Sequence, residues 1–182
     1  PALIAAAPGV ALPPVPACPV LSPADLAAAR DHAPCAFDMG DPGRMAYLVY
    51  TSGTSGRPRA AAHAHRALWA RGMMRAGWYG LTDADRMMHA GAFNWTYTLG
   101  TGLLDPWAAG ATAVIPAEGV TPDLLPLLMK RHDATIFAAA PGVYRQMLRT
   151  PFPPLPRLRH GLSAGEKLAD TTRAAWEGAT GT

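Results

Sequence analysis

The chain has 182 residues, enough for one hydrophobic core without staples, and 49% of them are hydrophobic against 16% charged. That composition excludes a disordered chain, and 19 prolines and 18 glycines spread without a period exclude collagen-like and low-complexity architectures. The net charge of +3 comes almost wholly from arginine, and no Lys/Arg run has the density of a nucleic-acid tail, although a modest positive excess suits an anionic small molecule.

Cys18 and Cys35 are too few for a disulfide scaffold and lack metal-ligand partners at useful spacing. They read as free thiols of a reducing compartment, the cytoplasm. Residues 1–23 are apolar but broken by proline and have no basic leading region, which argues against a signal peptide and a membrane helix. Residues 1–43 read as a Pro/Ala-rich connecting arm, with a short helix opened by Ser22 as cap and Pro23 at its first position. The chain starts without Met and ends on "WEGATGT"; both ends read as cuts, so the expectation is a piece of a longer protein.

Residues 44–182 form the second expected unit. "MAYLVYT" reads as a strand, and "RAAAHA" as a short strand or a helix lead-in. "HRALWARGMMRAGWYG" has helical spacing, with Leu68, Met73, Met74 and Trp78 toward one side. "RMMHAG" is a strand, and "TYTLGTGLLDPWAAG" a helix closed by Gly110. "ATAVIP" is a strand, and "TPDLLPLLMKRHD" a helix capped by Thr121 with Pro122 first. "ATIFAAA" (strand), "PGVYRQMLRT" (helix), "LRHGLSAG" (strand and turn) and "LADTTRAAWEG" (helix) complete the series. Strands alternating with helices predict an α/β fold with a mainly parallel sheet, and strands apolar on both faces predict helices on both sides. "PRLRH", the densest basic stretch, reads as a solvated strand edge.

"TSGTSG" (Thr51–Gly56) follows the first strand, and ligands of α/β sheets gather at the carboxyl ends of strands. Glycines let the backbone fold back on itself and approach a ligand, and successive free N–H groups make a nest for an anion. Thr51, Ser52, Thr54 and Ser55 add hydroxyls, and Arg57 and Arg59 add guanidinium groups suited to phosphate. A plain Gly/Ser surface loop is the alternative reading. The spacing is not that of the Walker loop, so kinase and GTPase readings fall away.

"YLVYTSGTSGRPRAAAHAHRAL" resembles the signature of the adenylate-forming (AMP-binding) enzymes: acyl- and aryl-CoA synthetases, luciferases and peptide-synthetase adenylation domains. Tyr50, Thr51, Ser52, Gly53, Thr54, Gly56 and Pro58 match that signature; Ser55 is within its usual choice, while Arg59 replaces the usual Lys and Ala60 the usual Gly. Downstream, "AGAFNWTYTLGTGLLDPWAAGATAVI" resembles the segment whose aromatics line the acyl pocket in CoA ligases, and "SAGEKL" resembles a turn beside the adenine. The likeness spans about Asp41 to Trp176.

The resemblance implies part of the large N-terminal domain of an acyl-CoA synthetase. It implies ATP or AMP held by Thr51, Ser52, Gly53, Thr54, Ser55, Gly56, Arg59, Ala164, Gly165 and Glu166, and a small carboxylic acid held by Phe93, Trp95 and Tyr97. Mg²⁺ would accompany the phosphates, and coenzyme A would take the acyl group. No residue of this chain is assigned to catalysis or to a metal: His63, His65 and His89 read as structural. The family's aromatic-Gly-x-Thr-Glu motif, ribose-binding Asp, hinge and C-terminal domain with its catalytic Lys lie outside this chain, so the expectation is an inactive fragment. Its bared apolar faces would tend to self-associate. Nucleic acid and membrane are not expected partners. Two other readings stay open: a peptide-synthetase adenylation domain, which Asn94 in place of an Asp disfavours, and a nucleotide-binding module without catalysis.

Overall fold

The structure, a computed structural model, describes residues 3–6, 8–12, 14, 18–51 and 56–182. The chain divides into two compact units, Pro1–Gly40 and Asp41–Thr182. In the first, β1 (Ile4–Ala5) pairs in parallel with β2 (Val20–Leu21), ahead of α1 (Pro23–Ala28). The expected cap is there as a capping box: Asp25 N–H donates to Ser22 Oγ at 3.2 Å and Ser22 N–H to Asp25 Oδ2 at 2.8 Å.

The second unit opens with an antiparallel hairpin, β3 (Met45–Thr51) and β4 (Arg59–Ala64). The glycine-rich loop therefore joins two hairpin strands and is not a crossover from the parallel sheet. Then α2 (His65–Ala70) and α3 (Gly72–Met74) run into a π-helical turn, Arg75–Tyr79, stopped by Gly80. The apolar side read from the sequence is not the buried one: Met73, Met74 and Trp78 are 76%, 41% and 43% exposed. The inward side belongs to Tyr79 and to Arg71, which donates from Nε and Nη2 to Asp105 at 2.7 and 2.6 Å.

Next come β5 (Arg86–Ala90), α4 (Thr96–Leu99), a π turn over Gly100–Leu104, α5 (Asp105–Ala109) and β6 (Thr112–Val114). The glycines of this helix answer to packing. A Cβ on Gly100 would lie 2.5 Å from the Arg71 guanidinium, and one on Gly102 would lie 2.6 Å from His89 Cβ. A 3₁₀ turn, Pro122–Leu124, leads into α6 (Leu125–Arg131); Thr121 takes the cap position without a side-chain cap bond. The chain ends with β7 (Ile136–Ala139), α7 (Pro141–Met147), β8 (His160–Ser163) and α8 (Asp170–Thr180).

The strands β6-β5-β7-β8 form one parallel sheet in that order, as the alternation of elements predicts. Its two faces carry separate cores. On one, Met88, Phe137 and Ala139 pack with Met129, Tyr144, Met147 and Trp176 from α6, α7 and α8. On the other, Met87, Ile136 and Ala138 pack with Tyr79, Ala111 and Leu162.

A buried carboxylate ties the sheet together at its foot. Asp85 accepts hydrogen bonds from Thr82 N–H (2.8 Å), Thr135 Oγ1 (2.7 Å) and Arg159 Nε and Nη2 (2.9 and 2.7 Å). Thr135 precedes β7 and Arg159 precedes β8, while the Asp85 carbonyl accepts from Thr112 N–H of β6. So Arg159, within the basic stretch read as a solvated edge, is a structural ion-pair partner. Burial alone would raise the Asp85 pKa; the bonds from Arg159, Thr135 and Thr82 outweigh it and hold the carboxyl well below the usual range. Asp85→Ala should lower stability by about 3 kcal/mol, the low end for breaking a buried pair, since Arg159 keeps its charge partly in water. Because the folded pKa is depressed, this contribution is full above the unfolded value of 3.8 and drains as pH falls below it. Urea unfolding should thus show a gap between parent and variant at pH 7 that narrows by pH 3.

Candidate functional site

The hairpin and the carboxyl ends of β5 and β8 supply the residues singled out from the sequence. The hairpin register sets Thr51 opposite Arg59, and Thr51 Oγ1 donates to the Arg59 carbonyl at 3.4 Å, so both stand at the root of the loop. Gly56 has φ +74°, a conformation that favours glycine. Ser52, Gly53, Thr54 and Ser55 lie outside the described residues. Along the hairpin, the ring of His63 stacks on Tyr47 with centroids 4.7 Å apart.

Trp95 is the N-cap residue of α4, its N–H donating to the Ala92 carbonyl at 3.1 Å. It lines a cavity of about 400 Å³ with Val49, Tyr50 and Thr51 of β3 and with Asn94 and Thr96. Gly165 has φ +102°, and a Cβ there would lie 2.8 Å from Trp95 Cη2. Three stretches far apart in sequence thus meet at one indole: the end of β3, the loop after β5 and the turn after β8. Ala164 is half-buried in that turn. Glu166 faces water and pairs with Arg145 at 3.4 Å, an exposed bridge of little energetic weight.

Phe93 belongs elsewhere. It lines a second cavity of about 680 Å³ with His89, Ile115, Glu118, Leu125 and Val143, so the expected trio of aromatics does not share one pocket. Tyr97 lies between the two, its ring 5.9 Å from that of Trp95 and 4.6 Å from that of His89. Burial raises its phenol pKa above the ordinary value. His89, at the end of β5, is 2% exposed, and burial lowers its imidazole pKa to about 4. Neither of its ring nitrogens has a hydrogen-bond partner among the described residues, which sets it apart from a satisfied core histidine.

Two groups that position this site escaped the sequence reading. Asp105 is 1% exposed and also accepts from Tyr79 Oη at 2.6 Å, so with Arg71 it clamps α2 against α5. Its signal was a lone acid inside the apolar run "LLDPW". Asp85 stood in the polar turn "TDAD", where nothing distinguished it from Asp83. Among the described residues, no group of three or more His, Cys, Asp or Glu could hold a metal ion, and no helix is long and apolar enough to cross a membrane.

The family model for AMP-binding enzymes matches residues 10–182. The chain belongs to that family. Among curated relatives, the 3-hydroxybenzoate–CoA ligase of Aromatoleum sp. (strain CIB) is 33% identical over 143 residues, covering 77% of this chain and 27% of that protein. The benzoate–CoA ligase of Thauera aromatica is 34% identical over 140 residues, covering 72% and 26%. A benzoate CoA ligase from Burkholderia xenovorans LB400 superposes with a TM-score of 0.76 at 26% identity, over 90% of this chain and 35% of that one. ATP-bound MatB from Rhodopseudomonas palustris gives 0.73 at 26% identity, over 91% and 34%. The chain spans about a quarter of the length of the curated relatives it matches.

Gly165→Ala should both strain the backbone and push against Trp95. The expected loss is about 1–3 kcal/mol of stability, read from the urea midpoint of the chain.

Proposed function

We propose that this chain is part of the N-terminal domain of an AMP-forming aryl- or acyl-CoA ligase. In this reading a carboxylate oxygen attacks the α-phosphorus of ATP, the bond to the β-phosphate oxygen breaks, and pyrophosphate leaves. The resulting acyl-adenylate then passes its acyl group to the thiol of coenzyme A, releasing AMP. The carrying observation is that Trp95 lines one cavity with the end of the signature hairpin and also lies against Gly165.

The chain's own contribution would be position and charge. The backbone of Thr51–Gly56 and the Arg59 guanidinium would hold the β- and γ-phosphates, and the 164–166 turn would lie beside the adenine. The acid would lie against Trp95 and Tyr97, whose rings are 5.9 Å apart, and not against Phe93, which lines the other cavity. Mg²⁺ would come with the nucleotide phosphates. Asn94 beside Trp95 is neutral, which favours a plain carboxylic acid over an amino acid, whose ammonium would call for an acidic partner. Cys18 and Cys35 as free thiols favour the cytoplasm. Alone, the 182-residue piece would be inactive, and exposed Trp69, Met73 and Trp107 would favour its self-association.

Carboxylate-dependent exchange of labelled pyrophosphate into ATP, measured on the full-length ligase, tests the reading. Arg59→Ala should slow the exchange about tenfold to a hundredfold, the effect of losing one charge-assisted bond of roughly 1.5–3 kcal/mol. An exchange rate untouched by that substitution, or robust exchange by the 182-residue chain alone, would contradict it.

A further inference from the structure

The turn after β8 has a tether that neither the sheet nor Trp95 supplies. In the order β6-β5-β7-β8, the strand β8 stands last and pairs with β7 alone among the described residues. An end strand has fewer contacts to hold it and opens locally at lower cost. Yet Leu162 and Ser163, its last residues, lead directly into Ala164, Gly165 and Glu166. Tyr144, on α7, reaches this point. Its phenol donates to the Leu162 carbonyl at 2.9 Å and, more weakly, to the Phe137 carbonyl at 3.3 Å. One hydroxyl thus pins β7 and β8 together from the helix side.

The surrounding rings fix that hydroxyl's direction. Tyr144 is 2% exposed, and it meets Phe137 and Trp176 edge-on with centroids 5.4 and 4.8 Å apart. Trp176 in turn lies close over β8: a Cβ on Gly161 would lie 2.7 Å from its Nε1. A side chain locked by packing is aimed before any ligand arrives. Burial raises the phenol pKa, so the group stays a hydrogen-bond donor at pH 7. The next residue, Arg145, also reaches this segment through Glu166, but at 3.4 Å and in water, where an ion pair weighs little. The buried phenol therefore carries the tether.

We propose that Tyr144 is a positioning residue for the nucleotide: it holds the end of β8 so that the 164–166 turn is already in place for the adenine. This rests on the ligase reading above. Tyr144 lines neither the cavity beside Trp95 nor the one beside Phe93, so it acts through β8 alone. Without its hydroxyl the Leu162 carbonyl is left buried and unpaired, and the turn samples other positions. ATP then binds only the fraction of molecules whose turn is in place, and its apparent affinity drops by that fraction.

The test is calorimetric titration of ATP into the full-length ligase, its Tyr144→Phe variant and its Met147→Leu variant. Tyr144→Phe keeps the ring and removes only the hydroxyl; it should weaken ATP binding about threefold to tenfold, the worth of one net hydrogen bond. Met147→Leu perturbs the same helix and core without touching the tether, and should leave the affinity at the parent value. Amide hydrogen exchange gives a second readout that does not depend on a variant. In the ATP-free parent, residues 162–166 should be protected, and in Tyr144→Phe they should exchange faster while 136–139 stay protected. Parent-like ATP affinity in Tyr144→Phe, equal weakening by Met147→Leu, or free exchange of 162–166 in the parent would overturn the tether and leave the ligase reading standing. A parent that binds no ATP would overturn both.

Discussion

The four-stranded sheet depends on one buried carboxylate. Asp85 collects hydrogen bonds from the residues that lead into β7 and β8 and, through its carbonyl, from the start of β6. In parallel strands the register chosen at the start decides which residues come level at the finish. Here it sets His89 beside Ala138, and Ala139 between Ala90 and Ser163. The loop after β5 and the turn after β8 therefore leave the sheet on the same side. Only then can Trp95 reach Gly165. A charge cluster at one end of the sheet thus governs the geometry of the candidate site at the other.

A second constraint works by close approach. Arg71 crosses over Gly100 to reach Asp105, and His89 lies on Gly102, so the helix after β5 packs tightly against both the sheet and α2. The glycines that look like helix breakers are the condition for that packing. The π turn at Gly100–Leu104 falls where this crowding is greatest. His89 is held by the same contact, which keeps its imidazole away from water and neutral.

Much of the architecture was legible in local chemistry. Strand and helix order followed from apolar runs and periodicity, helix starts from Ser22 and from prolines at first positions, and helix ends from Gly80 and Gly110. The signature loop was recognisable because its glycine and hydroxyl residues stand together in the chain. Less legible was anything that needed a partner distant in sequence. Met73, Met74 and Trp78 kept helical spacing, yet the inward direction went to Arg71 once Asp105 supplied a buried counter-charge. Likewise the aromatics Phe93, Trp95 and Tyr97 sat close in sequence but divided between two cavities and the wall between them.

By itself the sequence determined the class of fold, the family signature and the chemical character of the loop, because each is written in neighbouring residues. The tertiary structure alone decided that the loop closes a hairpin and that Trp95 meets Gly165. It alone decided that Asp85 pairs with Arg159, and that His89 and Thr98 meet at Gly91. The physical reason is the same in every case. Burial and pairing depend on which residues fold against one another across long stretches of chain, and neither periodicity nor composition carries that information.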